Sequence, residues 1–167
     1  MELWDLLDAD GNPLGRTIVR GEKLPEGTYH RVVDIFTVNS RGELLVTLRS
    51  PDKEVYPNMW EVTGGSAVAG EEAAAAAVRE LREETGIDVP VEWLEFMVEI
   101  RRTGSISDLY LLHYDAEISE LTMQEGETVA AKWVTLDDFE KMADNGEIPE
   151  PVIIRYNKVK HLICNIK

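Results

Sequence analysis

The sequence contains one cysteine, Cys164, among 167 residues. No internal disulfide can form, which suits a reducing compartment. The thiol falls in a C-terminal stretch with helical patterning and is read as a small buried hydrophobe, not as a nucleophile. Long apolar runs are also missing. Nothing approaches the roughly 18 residues of a membrane-spanning helix, so no membrane span is predicted. The start, Met1-Glu2-Leu3-Trp4-Asp5, is acidic and lacks a secretory pattern. A cytoplasmic protein is expected. Cations are scarce, with 17 Lys and Arg against 32 Asp and Glu and a net charge of −15. That balance argues against binding polymeric nucleic acid, which needs Lys and Arg surfaces. Repeats are absent, and the one low-complexity stretch is a run of alanines. What is present is a chain of single-domain length with 44% hydrophobic residues, enough to bury a core.

Alternation and turn residues predict strands over 2–7 and 17–21, around the turn Asp10-Gly11-Asn12-Pro13. Further strands are predicted over 30–39 and 44–49, joined at Asn39-Ser40-Arg41-Gly42, and over 92–102, 107–116 and 129–134. Trp60 to Gly65 reads as a short strand entering a glycine-rich loop, where paired glycines let backbone approach a ligand closely. Helices are predicted over 136–145 and 151–163. The first follows Thr135, an N-cap residue type.

The most informative segment runs from Gly65 to Ile87. Gly70-Glu71-Glu72 places acid where a helix dipole favours it. Ala73 to Ala77 is a run of the best helix former. Ala74, Ala77, Val78 and Leu81 make a core-facing stripe. Gly86 suits the left-handed position past the helix end, and Pro90 blocks continuation. Glu80, Glu83 and Glu84 then share one face at i, i+3 and i+4. Such like charges repel, so a cation should sit against them. Hard divalent ions take carboxylate oxygens together with water and substrate phosphates. A Glu-rich helix can also be a solvated surface helix, but the flanking glycines favour a metal-and-phosphate site.

These residues resemble the signature of the Nudix hydrolases: Gly, five residues, Glu, seven residues, Arg-Glu, an aliphatic, one residue, Glu-Glu, one residue, Gly and an aliphatic. Gly65, Glu71, Arg79, Glu80, Leu81, Glu83, Glu84, Gly86 and Ile87 fill every position. The likeness extends to Pro57-Asn58-Met59-Trp60-Glu61 and Lys132-Trp133-Val134-Thr135-Leu136-Asp137. It implies an α/β fold: an α/β/α sandwich with a mixed β-sheet and a catalytic loop-helix-loop. Residues 1–167 would form one Nudix domain, with an N-terminal β extension over 1–27, the catalytic motif over 64–87 and a C-terminal helix over 151–167.

The resemblance implies hydrolysis of a diphosphate linkage, in a nucleoside diphosphate joined to another moiety, with Mg²⁺ or Mn²⁺ as cofactor. Glu80, Glu83 and Glu84 would carry the metal, with the carbonyl of Gly64 as a further ligand. The general base would be either a box glutamate, Glu83 or Glu84, or one from a later loop, for which Glu127 is the choice. Glu71 and Arg79 would form an ion pair that orients the helix, and Gly65 and Gly86 would shape its ends. Arg49 and Arg101 are candidate phosphate contacts, since Arg suits phosphate bidentately. Trp60, Tyr110 and Trp133 are each read as core residues before base-stacking ones. A diphosphate should be repelled by so acidic a protein unless metal inverts the sign of the site. The partner is a small molecule; two copies could also pair through exposed N-terminal strand edges.

Residues 8–15, 29–33 and 44–50 resemble the subgroup related to isopentenyl-diphosphate isomerase. Those isomerases protonate an alkene and need a cysteine, whose place falls at or beside Gly65, and a histidine, whose place falls near Ala67. Neither is present. Hydrolysis is therefore expected over isomerisation. A non-catalytic nucleotide-sensing module is the third reading.

Overall fold

A computed structural model describes residues 1–164. Strands β1 (Leu3–Leu7) and β2 (Pro13–Val19) pair antiparallel as a separate hairpin. Its turn is organised by Asp8, whose Oδ1 accepts from the backbone N–H groups of Asp10 at 2.8 Å and Asn12 at 2.9 Å. The main sheet has seven strands. Its central member is β3 (His30–Val38), which lies between β4 (Leu44–Arg49) and β8 (Ser105–His113). β3 pairs parallel with β8 along its whole length and antiparallel with its other neighbours, so the sheet is mixed. β5 (Trp60–Glu61) and β9 (Thr128–Val134) pair with β4, and β7 (Glu95–Arg102) pairs with β8 at the far side.

Alternation along these strands sends side chains to two cores. Val33, Ile35, Leu45, Tyr110 and Leu112 meet Ala76, Ala77 and Leu81 of α1 (Ala73–Thr85). Phe36, Val38, Leu44, Val46, Leu109 and Leu111 meet Phe139 and Met142 of α2 (Leu136–Asp144) and Val152, Tyr156, Val159 and Ile163 of α3 (Glu150–Ile163). Helices thus cover both faces, as an α/β/α sandwich requires. The Thr135 hydroxyl caps α2 by accepting from the N–H of Asp138 at 3.1 Å. No helix among the described residues is long and apolar enough to cross a membrane.

Several expectations shift. The segment from Trp60 to Gly65 is two strands, because the chain changes partner at Val62: β5 bonds to β4, and β6 (Thr63–Ser66) bonds to β3. The strand expected from residue 92 begins at Glu95, after Pro90 and a 3-10 turn over Val91–Trp93. The C-terminal helix starts at Glu150 and is seen to Ile163; residues 165–167 of its expected span lie outside the described residues. Cys164 is exposed at that helix's end, not buried, because the buried positions of α3 are Val152, Tyr156, Val159 and Ile163.

Candidate active site

β6 leads through residues 67–72 into α1, and Glu71 folds back on this loop as expected. Its carboxylate receives Nε of Arg79 at 2.8 Å and Nη2 at 2.9 Å, together with the N–H of Val68 at 3.0 Å. Arg79 also donates from Nη2 to the carbonyl of Ser66 at 3.1 Å, and from Nη1 to Glu80 at 2.9 Å and Glu83 at 3.1 Å. One guanidinium therefore ties the loop's start to the helix and to two box carboxylates. The bonds to Glu71 hold Arg79 firmly protonated, and the same bonds pull the Glu71 carboxyl below its ordinary range. α1 ends at Gly86, whose φ of 76° is left-handed. Replacing Arg79 by Ala should loosen the loop, lowering both Tm and turnover, because three carboxylates lose their partner together. Replacing the more exposed Glu83 by Gln should leave Tm near wild type while turnover collapses. Thermal melts and rates on the same preparations check this contrast.

The three helix carboxylates occupy different environments. Glu84 is 6% exposed, and its Oε2 has no hydrogen-bond partner. Burial pushes its carboxyl well above the usual range, with the negative charges of Glu61 and Glu80 adding to the effect and a backbone bond from Gly64 opposing it. Glu80 is also pushed up by burial, against the pull of Arg79. Glu83 stands at the mouth, its side chain 39% exposed. Gly65 lies against the Glu80 carboxylate. A Cβ built there would sit 2.3 Å from its carboxyl carbon.

These groups open into a cavity of about 400 Å³, walled by β3, the 61–66 segment, α1, the 124–127 loop, α3 and the N-terminal hairpin. Of the residues singled out in the sequence, Gly64, Glu80, Glu83, Glu84, Glu127 and Arg49 line it. Arg49 is engaged at every nitrogen, however. Its guanidinium bonds to Glu61 at 2.6 Å and to the carbonyls of Val55 and Tyr56, fixing the turn around residue 56. Glu127 pairs with Lys53. Arg101 lies elsewhere, near the tip of the β7–β8 hairpin. It bonds to the carbonyl of Ala9 and to Glu99 at 2.9 Å, so the structure does not bring it to the cavity. Trp60 carries Lys132 4.1 Å from its ring centroid, Tyr110 is buried, and Trp133 donates to the carbonyl of Ala116 at 3.0 Å. Among the described residues, none of these three aromatics lines the cavity.

Sequence reasoning missed Glu61, Lys53, Asp34 and Arg155, which also line the cavity. Asp34 carried a signal: an acid inside the apolar run Val32-Val33-Asp34-Ile35-Phe36 must find a partner. The partner is Arg155 of α3, whose Nη1 donates to its Oδ1 at 3.0 Å. The N-terminal hairpin also reaches the site. Leu3 accepts from the N–H of Ala69 at 2.8 Å, Asp5 accepts from the N–H of Gly70 at 2.7 Å, and Glu2 and Arg20 pair at the cavity rim.

The donor set fits a hard divalent ion. All candidate ligands are oxygens, and the buried orphan Oε2 of Glu84 is the kind of acceptor an ion would satisfy. Among the described residues, no three acidic, His or Cys side chains are gathered as a ready metal group. Glu80 and Glu83 each bond Arg79 through one carboxylate oxygen, so an ion would take the other oxygen of each.

A mixed sandwich with an acid-lined cleft beside a glycine loop defines a class of phosphate-handling enzymes, and comparison with known proteins agrees. The NUDIX domain family matches residues 28–156. An uncharacterised Nudix hydrolase of Listeria monocytogenes is 36% identical over 148 residues, covering 88% of each chain. An isopentenyl-diphosphate Delta-isomerase of Paenarthrobacter aurescens is 33% identical over 88 residues, covering 52% of this chain and 48% of its own. Among solved structures, DR0079 from Deinococcus radiodurans aligns with a TM-score of 0.73 at 26% identity, covering 88% of this chain and 91% of its own. A bifunctional NMN adenylyltransferase/ADP ribose pyrophosphatase of Francisella tularensis, complexed with AMP and a manganese ion, aligns at 0.65 and 20% identity, covering 81% of this chain and 42% of its own. The chain belongs to the Nudix family, as a pyrophosphohydrolase acting on phosphoric anhydrides.

Proposed function

We propose that the protein hydrolyses the diphosphate linkage of a nucleoside diphosphate joined to another moiety, with Mg²⁺ or Mn²⁺ as cofactor. The observation carrying this reading is the buried, unpaired Oε2 of Glu84, which faces the charges of Glu61 and Glu80 across one cavity wall. The manganese and AMP seen with the Francisella neighbour support the metal and the nucleotide. A cytoplasmic setting is part of the reading, supported by a single exposed thiol with no disulfide partner.

Glu80, Glu83 and Glu84, with the carbonyl of Gly64, would hold the ion or ions. Once bound, the ions would neutralise the diphosphate oxygens and lower the pKa of a coordinated water. Glu127 is the candidate acceptor of the attacking water's proton, and its pairing with Lys53 fixes its place in the wall. Arg79 and Glu71 hold the loop while Glu80 and Glu83 turn toward the cavity. Gly65 supplies no thiol for an isomerase's chemistry, and a side chain there would push the Glu80 carboxylate out of its place.

The test is a panel of nucleoside-diphosphate compounds with Mg²⁺ or Mn²⁺, read by product mass. A nucleoside monophosphate plus the complementary phosphate compound is expected. An isomerised prenyl diphosphate, or tight binding with no product across the panel, would overturn the reading. With a net charge of −15, affinity for a non-cleavable α,β-methylene nucleoside diphosphate should fall at least tenfold when divalent ions are chelated. Calorimetric titration with and without chelator measures it, and undiminished affinity would refute the role given to metal.

A further inference from the structure

Five cationic side chains line the cavity: Arg20, Arg49, Lys53, Arg79 and Arg155. A substrate phosphate needs N–H donors that are not already committed. Arg79 commits all three nitrogens to Glu71, Glu80, Glu83 and the Ser66 carbonyl. Arg49 is bonded at all three nitrogens to Glu61 and two backbone carbonyls, which hold its plane against the turn at residues 55 and 56. Lys53 is tied to Glu127. Arg20 bonds to Glu2 from a side chain 55% exposed, at the rim, where ion pairs contribute little.

Arg155 differs. Its side chain is 15% exposed and that of its partner Asp34 is 5% exposed. Only Nη1 has a partner, Oδ1 of Asp34. Nε is out of contact with solvent and bonded to nothing, and Oδ2 of Asp34 is likewise bare. Nη2 carries no bond among the described residues and is not shut off from solvent as Nε is, so it is the donor a phosphate can reach. A buried ion pair with half its bonding capacity unfilled is costly for the fold alone. Position fits the same use. Asp34 lies opposite Gly64 in the β3–β6 ladder, and Val152, one turn before Arg155 on α3, also lines the cavity. α1 and α3 pack on opposite faces of the sheet. A diphosphate in the cavity would therefore meet carboxylates and their ions from one side and this guanidinium from the other.

We propose that Arg155 binds a phosphate group of the substrate directly through Nη2, with Asp34 holding the guanidinium toward the cavity. The inference rests on the hydrolase reading and adds to it the residue that anchors the anion. The contact is to one phosphate group, while Asp34 keeps Nη1 and the orientation of the guanidinium fixed.

The test compares wild type with Arg155→Gln, Arg155→Lys and the double variant Asp34→Asn/Arg155→Gln. Readouts are Tm, KM, kcat and the calorimetric Kd for an α,β-methylene nucleoside diphosphate with Mg²⁺. Arg155→Gln should raise Kd and KM at least tenfold, with a smaller change in kcat. Arg155→Lys should recover part of the affinity, since an ammonium keeps the positive charge. The double variant removes both charges, so it should recover Tm but not affinity. A Kd for Arg155→Gln within threefold of wild type would overturn the proposal, as would a double variant that recovers both Tm and affinity, which marks a purely structural strut. If wild type binds the analogue yet cleaves no diphosphate, the hydrolase reading fails while the Kd comparison still decides the role of Arg155. If wild type does not bind the analogue, KM on the cleaved substrate decides it, and with neither binding nor turnover both readings fail.

Discussion

Glu84→Gln should lower kcat by roughly 10²- to 10⁴-fold, the range associated with losing a positioned ionisable group, and should raise the Tm of the metal-free protein. The two effects share one origin. In wild type a buried carboxyl with a bare Oε2 sits beside the negative charges of Glu61 and Glu80, and both burial and those charges work against its ionised form. An unsatisfied buried group of this kind costs about 1–3 kcal/mol, and a domain of this size gains about 2–4 °C in Tm per kcal/mol. A rise of roughly 2–12 °C is expected for the neutral, near-isosteric Gln. Melts in chelator and turnover with Mg²⁺ check both. A Gln variant that is less stable than wild type without metal would remove Glu84 from the ion site.

The pH dependence follows with a fixed sign. Below the ordinary carboxyl value of 4.5, Glu84 is protonated in folded and unfolded chains alike and costs nothing. As pH rises from there through the raised folded value, the folded state holds more protons than the unfolded one, so stability is lost. Glu61, Glu80 and Asp34 are shifted in the same direction. The metal-free protein should therefore lose stability over that window. Glu84→Gln should lose less, and saturating Mg²⁺ should flatten the decline, since an ion at a hundred times its Kd adds about 2.7 kcal/mol.

Gly65→Ala should inactivate without unfolding, whereas Gly64→Ala should unfold more readily. The added methyl at Gly65 meets the Glu80 carboxylate, at 2.3 Å from its carbon and one oxygen, and that carboxylate is the mobile end of a flexible side chain. It can swing away at small cost to the fold, but it leaves its place in the site. Misplacement of about 1 Å can cost on the order of 10² in rate. At Gly64 the methyl meets the Val33 carbonyl at 2.5 Å, which is backbone within the β3–β6 ladder and cannot swing. Overpacking of that sort costs about 1–3 kcal/mol, or roughly 2–12 °C in Tm. Paired melts and kcat/KM values separate the two. Gly65→Cys should lose hydrolysis without gaining prenyl isomerisation.

The catalytic helix was legible from the letters because its determinants are local. An alanine run, acid at its start and Gly86 at its end fix α1, and the i, i+3, i+4 spacing puts three carboxylates on one face. The partners of that helix were less legible. Arg155 reaches Asp34 across 121 residues, and nothing local announces which cation meets a buried acid. Arg49 and Arg101 looked equivalent as letters. The structure separates them because one lies on β4 beside the cavity and the other at a hairpin tip. Trp60 to Gly65 read as one strand because its letters do not say that the chain changes neighbours at Val62. Cys164 sat in a helical pattern, but which side of α3 meets the sheet is decided by tertiary packing.

The hairpin before residue 28 lies outside the span matched by the family, yet it is stitched to the catalytic loop. Leu3 and Asp5 hold the Ala69 and Gly70 amides, and Trp4 stacks on His30 with ring centroids 4.1 Å apart. A protein trimmed to residues 28–156 would keep every letter of the signature and still release two amides at the turn into α1. The working enzyme is thus larger than the stretch by which its kin are recognised.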